Sequence, residues 1–202
     1  MNTEPNLFDR NARQWDSRPI SRQLAPLPER LLAELTLSAD QHVLDFGAGT
    51  GLLATAIAPY VAQVTALDTS SEMLAVLNEK GFANIRTLQQ DIFAGLSGQY
   101  HAIVSCMALH HVENIAALLA TFADALLPGG ELALIDLYAE DGSFHGDNIG
   151  KGVKHLGFDT DHLQTQVAAT GLQHIRVREI LQLQRDTRHY PLFLLRAQKP
   201  LS

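Results

Sequence analysis

Val43-Leu44-Asp45-Phe46-Gly47-Ala48-Gly49-Thr50-Gly51 is the stretch on which the reading of the fold turns. A short apolar run enters three glycines at alternate positions, and a helical pattern follows from Gly51 to Tyr60. Glycine reaches φ > 0 and lets a ligand approach the backbone closely. The helix after the loop begins with N–H groups that have no intrahelical partner. In open α/β sheets a ligand sits outside the carboxyl ends of the strands, where such a loop lies.

Working outward, strands and helices alternate. Gln63 to Leu67 reads as a strand and Ser70 to Lys80 as a helix closed by Gly81. Asn84 to Leu88 and His101 to Met107 read as strands. Asn114 to Leu127 reads as a helix stopped by Pro128-Gly129-Gly130, with a strand over Glu131 to Leu137. Residues 139–158 are rich in Gly and His and irregular. Thr160 to Thr170 is a helix before Gly171. His174 to Leu183 and Pro191 to Ala197 follow each other with no helical pattern between them, which predicts a hairpin and one antiparallel strand at the sheet edge. Towards the N-terminus, Pro28 to Leu37 reads as a short helix, and residues 1–27 as a polar leader carrying Phe8 and Trp15. Strands alternating with short helices imply βαβ units and a mostly parallel sheet. A length of 202 residues fits one domain over 1–202.

Composition narrows the function. Hydrophobic residues make up 46% and charged residues 18%, which is the balance of a globular protein. The net charge of -7 and the lack of Lys/Arg clusters disfavour a nucleic-acid partner, since binding that backbone means neutralising many phosphates. The one cysteine, Cys106, allows no intrachain disulfide and no multi-cysteine zinc site. No apolar run reaches the roughly 18–20 residues needed to span a bilayer, and the N-terminus lacks the apolar core of a secretory signal. These features lead to the expectation of a cytoplasmic protein with no membrane partner.

The glycine spacing discriminates among ligands. A dinucleotide fingerprint wants G-x-G-x-x-G, but the third glycine falls at Gly51 and position 52 is Leu52. Asp45, two residues before Gly47, is awkward beside a pyrophosphate and suits a ligand with an ammonium and a sulfonium. No Gly-Lys-Ser/Thr follows, so a Walker loop is excluded. Asp68 ends the second strand, where an acid can accept both hydroxyls of a ribose. Asp91 follows the third strand and can accept from an adenine amino group, while the Ile92 N–H can donate to a ring nitrogen.

With Asp45-x-Gly-x-Gly-x-Gly, Asp68, Asp91, the segment Ala108-Leu109-His110-His111 and Leu127-Pro128-Gly129-Gly130 in order, the chain resembles the class I S-adenosylmethionine-dependent methyltransferases. It is most similar to the branch that includes the ubiquinone/menaquinone biosynthesis methyltransferases. The resemblance covers roughly residues 40–137, and the rest of the chain by topology only. It implies an α/β, Rossmann-like three-layer sandwich with a seven-stranded, mostly parallel sheet and the last strand inserted antiparallel. It further assigns Gly47, Ala48 and Gly49 to the methionine part of S-adenosylmethionine, with Asp45 near its amino group. Asp68 takes the ribose hydroxyls, Thr69 and Met73 flank the adenine, and Asp91 and Ile92 hold its edge. Met107 and His110 lie beside the sulfonium.

The methyl group of such a cofactor is already activated, so the protein has to align an acceptor and, where the acceptor loses a proton, supply a base. His110, His145 and His155 are the candidate catalytic residues, with His111 adjacent. The insertion 139–158 is expected to form a substrate-side wall, and residues 1–36 an N-terminal lid. Histidine spacing along the chain matches no compact zinc motif, so no metal site is expected. The leading expectation is methyl transfer from S-adenosylmethionine to a small molecule, releasing S-adenosylhomocysteine. A binding protein without transfer activity is the alternative, and a nicotinamide oxidoreductase is disfavoured by the glycine spacing.

Overall fold

The computed structural model describes residues 7–201. Seven strands form one sheet: β1 (His42–Phe46), β2 (Gln63–Asp68), β3 (Ile85–Gln89), β4 (Tyr100–Cys106), β5 (Leu126–Leu137), β6 (Gln173–Arg185) and β7 (Arg188–Gln198). Their order is β3-β2-β1-β4-β5-β7-β6. The pairs among β1 to β5 are parallel, while β7 runs antiparallel to both β5 and β6. The expected hairpin is present, and the last strand is inserted antiparallel, as the resemblance implies, rather than lying at the edge as the residue pattern alone predicts. β7 folds back into the space beside β5 and leaves β6 outside. β7 buries Leu192 to Leu195, whereas β6 alternates exposed and half-buried residues. The more apolar strand takes the position covered on both faces.

The chain supplies helices for both faces. α1 (Leu7–Asn11), α2 (Pro19–Gln23) and α3 (Leu27–Leu32) precede the sheet. α4 (Ala54–Ile57), α5 (Ser71–Glu79), α6 (Ile115–Ala125) and α7 (Thr160–Ala169) alternate with strands. Neighbouring strand residues go to opposite cores, as side chains in a strand must. Val43, Val64, Ala102 and Val104 join Leu31, Ile57, Leu74 and Leu77 on one face. Leu44, Leu67 and Ile103 join Leu118, Phe122, Leu163 and Val167 on the other. Three helices begin at side-chain caps: Ser70 accepts from Met73 N–H, Asn114 from Ala117 N–H, and Asp159 from Asp161 and His162 N–H. Each such cap stabilises a helix by about 1 kcal/mol.

One local expectation is corrected. Leu127-Pro128-Gly129-Gly130 belongs to β5, which starts at Leu126; an irregularity opposite Tyr100 and Ala102 lets Pro128 sit where no ladder N–H is needed. The polar leader is helical from Leu7 onward, with a tight helical turn over Ala12–Ser17 between α1 and α2. Residues 1–6 of the expected lid lie outside the described residues.

Candidate active site

The glycine loop leaves the carboxyl end of β1, and its geometry explains its composition. Gly47 has φ +66, and a Cβ there would stand 2.3 Å from the Ala108 Cβ, so the loops after β1 and β4 meet at a point that admits only glycine. The loop amides are spent inside the protein. Gly47 and Ala48 N–H both donate to Leu67 carbonyl (2.9 and 3.0 Å), and Gly49 N–H donates to Asp68 Oδ2 (2.8 Å). The loop therefore offers a ligand close approach rather than a row of free amides. Open space surrounds the Cβ position of Gly49, with no atom within 4 Å.

Two carboxylates stand behind this loop. Asp45 is 2% exposed, and its Oδ2 accepts from Ala54 N–H at 2.9 Å, tying β1 to α4. Burial pushes its carboxyl up to about 8. Asp68 bridges Gly49 N–H and Ser70 N–H (2.8 and 2.9 Å), and burial raises its pKa against the pull of those donors. A carboxylate has about four lone-pair sites, so Asp68 keeps acceptor capacity for a ligand. Thr69 is exposed beside it, and Asp91 is exposed and accepts from Phe93 N–H at 2.9 Å. Met73 and Ile92 are buried, at 2% and 3% exposure. With Asp45 mostly protonated near pH 7, the charge of this glycine-lined cradle falls to Asp68 and the exposed Asp91, which fits a cationic nucleoside better than a phosphate.

The N-terminal segment docks on this half. Ser70 Oγ donates to Asp9 (2.6 Å), Thr50 hydroxyl bonds Asp16, and Lys80 Nζ reaches Asp16 (3.0 Å) and the Thr50 carbonyl (2.7 Å). Phe8 continues across to the other half, where its ring meets His111 edge-on at 5.1 Å.

That other half is built on β4 and β5. Met107 follows β4 with φ +56, a left-handed conformation rare for a non-glycine residue and costly to hold. It turns the chain into Leu109–His111. His110 is 1% exposed and lies against Asp136, which is fully buried near the end of β5. The Asp136 carboxylate accepts from His110 Nδ1 (2.8 Å), from His110 backbone N–H (3.3 Å) and from Leu137 N–H (2.8 Å). Nδ1 must carry the proton, because a carboxylate only accepts. His110 Nε2 is buried and has no hydrogen-bond partner among the described residues.

The insertion brings His145 to this point. Its ring centroid is 4.8 Å from that of His110, and the His110 and His111 centroids are 4.2 Å apart. Burial and the neighbouring imidazoles push His145 down to about 3 and His111 to about 4, so both are neutral near pH 7. Lys154 and His155 N–H donate to the His110 carbonyl (2.8 and 3.1 Å), and Phe144 and Phe158 are buried. The insertion is thus irregular yet anchored. His155 is placed apart from the cluster: its Nε2 is 2.8 Å from the Val112 carbonyl and its ring packs on Phe158. Cys106 has its thiol pushed well up by burial and by the neighbouring Asp136 and Asp45, which removes it as a nucleophile. Asp136 escaped the sequence reading. Its signal was a lone acid in the apolar run Leu132 to Leu137.

Comparison with known proteins agrees with this geometry. Residues 14–196 match the family model described as a methyltransferase domain. An uncharacterised methyltransferase of Mycobacterium tuberculosis is 36% identical over 132 residues, covering 63% of each chain. A ubiquinone biosynthesis O-methyltransferase of Xanthomonas oryzae is 33% identical over 142 residues, covering 65% of this chain and 59% of that protein. The chain spans between about half and three fifths of the length of the curated relatives it matches. In fold it is similar to DhpI in the DhpI–SAM–HEP complex, with a TM-score of 0.74, 21% identity, and coverage of 96% of this chain and 94% of that one. Among the described residues no helix is long and apolar enough to cross a membrane. The chain belongs to the methyltransferase domain family, and its seven-stranded α/β unit carries that domain.

Proposed function

We propose that this chain transfers the methyl group of S-adenosylmethionine to a small-molecule acceptor. The observation that carries the reading is the buried His110–Asp136 pair, which leaves one imidazole nitrogen without a hydrogen-bond partner among the described residues, close in sequence to the left-handed turn at Met107. In this reading Gly47, Ala48 and Gly49 receive the methionine end of the cofactor, with Asp45 behind its ammonium. Asp68 takes the ribose, while Thr69, Met73, Asp91 and Ile92 border the adenine. Met107 lies near the sulfur.

The acceptor enters on the histidine side. Its lone pair bonds the methyl carbon, and the electron pair of the breaking carbon–sulfur bond stays on sulfur, giving S-adenosylhomocysteine. A proton lost by the acceptor passes to His110 Nε2, while Asp136 holds the ring and stabilises the imidazolium. His145 and His155 belong to the insertion 139–158, which we assign as the acceptor-side wall, and residues 1–36 act as the lid. The single cysteine and acidic charge are in keeping with a cytoplasmic enzyme that has no nucleic-acid partner.

The test uses S-adenosylmethionine labelled at the methyl group. The protein is incubated with a protein-free metabolite extract of its source cells and, separately, with the macromolecular fraction. Label in a small molecule is the expected result. Label in protein or nucleic acid overturns the acceptor class, and cofactor binding with no labelled product in either fraction overturns transfer.

A further inference from the structure

His110, His111 and His145 each offer one ring nitrogen, and these three nitrogens lie within 4.8 Å of one another. We propose that this cluster is a binding site for a divalent transition-metal ion of the zinc class, with a fourth position open to the acceptor. The spacing along the chain hid it: His145 lies 34 residues beyond His111, and only the anchored insertion brings it back.

Three features distinguish the cluster from chance proximity of imidazoles. The first is tautomer control. His110 Nδ1–H donates to Asp136, and His111 Nδ1 lies 3.1 Å from the Gly152 carbonyl, an oxygen that can only accept. Both rings are therefore fixed with the lone pair on Nε2, as in metal sites, where the ligating imidazole gives its other N–H to a carboxylate or backbone carbonyl. The second is the His110 Nε2 itself, buried in a side chain that is 1% exposed and without a hydrogen-bond partner among the described residues. A buried polar atom left unpaired costs on the order of 1–3 kcal/mol; a metal ion would satisfy it. The third is chemical type. Three imidazoles with an open position match the ligand set of catalytic zinc sites. The fully buried carboxylate of Asp136 adds a negative charge behind the ion.

The role of the open position rests on the methyl-transfer reading, while the ion site itself does not. An acceptor hydroxyl bound to the ion would lose its proton to water, since His110 Nε2 is then occupied. The oxygen lone pair would then bond the methyl carbon as the carbon–sulfur pair remains on sulfur. Nitrogens arranged tetrahedrally at about 2.0–2.1 Å from one ion stand roughly 3.3–3.4 Å apart, so from the present limit of 4.8 Å the rings must close in by about 1.5 Å at most.

The experiment is a titration of untagged, chelator-treated protein with Zn²⁺ by calorimetry and with Co²⁺ by visible absorption. One ion per chain is expected, with the intense visible bands of low-coordinate Co²⁺. His145→Gln and His111→Gln should each weaken Zn²⁺ binding at least tenfold, and Asp136→Asn about 10–100-fold. Circular dichroism establishes that each variant is folded; His145→Gln, in the insertion and partly exposed, is the variant on which the result rests if the buried ones unfold. S-adenosylhomocysteine affinity should be unchanged in His145→Gln. Stoichiometric Zn²⁺ binding that is unaffected by His145→Gln, or a Co²⁺ spectrum of the hydrated ion only, overturns the site. Failure of methyl transfer in the labelling experiment with the ion bound overturns the transfer reading and leaves the metal site standing.

Discussion

The glycine-loop half of the cleft and its histidine half are built in different ways. The first draws on short sequence units: Asp45 to Gly51 in one turn, Asp68 to Met73 in the next, and Asp91 with Ile92 in a third. Its polar groups are mutually paired even without a ligand, through Gly47, Ala48, Gly49 and Ser70 N–H. The histidine half gathers His110, His111, Asp136, His145 and Gly152 from three separate segments, and it leaves a buried nitrogen without a hydrogen-bond partner among the described residues. A paired cradle holds its shape before a ligand arrives, whereas the histidine half keeps a polar atom open to one.

The sharpest way to break this comparison is His110→Gln. The amide can still donate to Asp136 but is no base and a poor metal ligand, so methyl transfer should fall by about 10²–10⁴-fold. S-adenosylhomocysteine affinity, measured by calorimetry, should stay within a few-fold of wild type. Equal losses in both would mean that the halves are not separable.

Asp68→Ala strikes the opposite half. Losing charge-assisted bonds to the ribose should weaken S-adenosylhomocysteine binding by roughly 1.5–3 kcal/mol. Stability should fall as well, because Gly49 and Ser70 N–H lose their acceptor. An unchanged affinity in the folded variant removes Asp68 from the site.

Asp45 gives the cradle a pH signature. Its folded pKa of about 8 lies above the unfolded carboxyl value of about 3.9. The folded chain therefore holds the proton more tightly, and the stability this contributes is complete below about pH 4 and is lost as pH rises towards 8. Within that window the slope is about -1.4 kcal/mol per pH unit from this one group. Asp45→Asn keeps an acceptor for Ala54 N–H and should flatten the slope in urea unfolding between pH 5 and 7. Parallel curves for wild type and variant would show that Asp45 is charged in the folded state.

His155→Ala should have the smallest effect, because its Nε2 already faces the Val112 carbonyl and its ring packs on Phe158. Transfer is expected to change by less than about threefold, since such a residue positions the wall without touching the reacting atoms; His145→Ala should cost more. Rates ordered the other way round would move the reacting atoms to the far side of the insertion.

Much of the fold was legible along the chain because its signals are local. Alternating apolar runs, the glycine loop, and the helix stops at Gly81 and Gly171 each depend on a few neighbouring residues, and the structure places elements beside them. The helical leader was less legible. Its helices are five or six residues long, too short to show a periodicity, and they are held by contacts such as Asp16 with Thr50 and Lys80.

The sequence by itself determined the order of the strands and helices, the glycine loop after the first strand and the hairpin at the end, since each follows from turn chemistry or side-chain periodicity within one segment. The tertiary structure decided that β7 lies inside β6, which the family resemblance implied but the residue pattern did not, and it alone decided that Asp136 fixes the His110 ring and that His145 rather than His155 joins His110 and His111. The physical reason is the same in each case. Strand order is settled by which apolar surface can be covered on both faces. The pairing of a buried charge or imidazole is settled by what lies within about 3 Å in space, and neither quantity is written in the distance between residues along the chain.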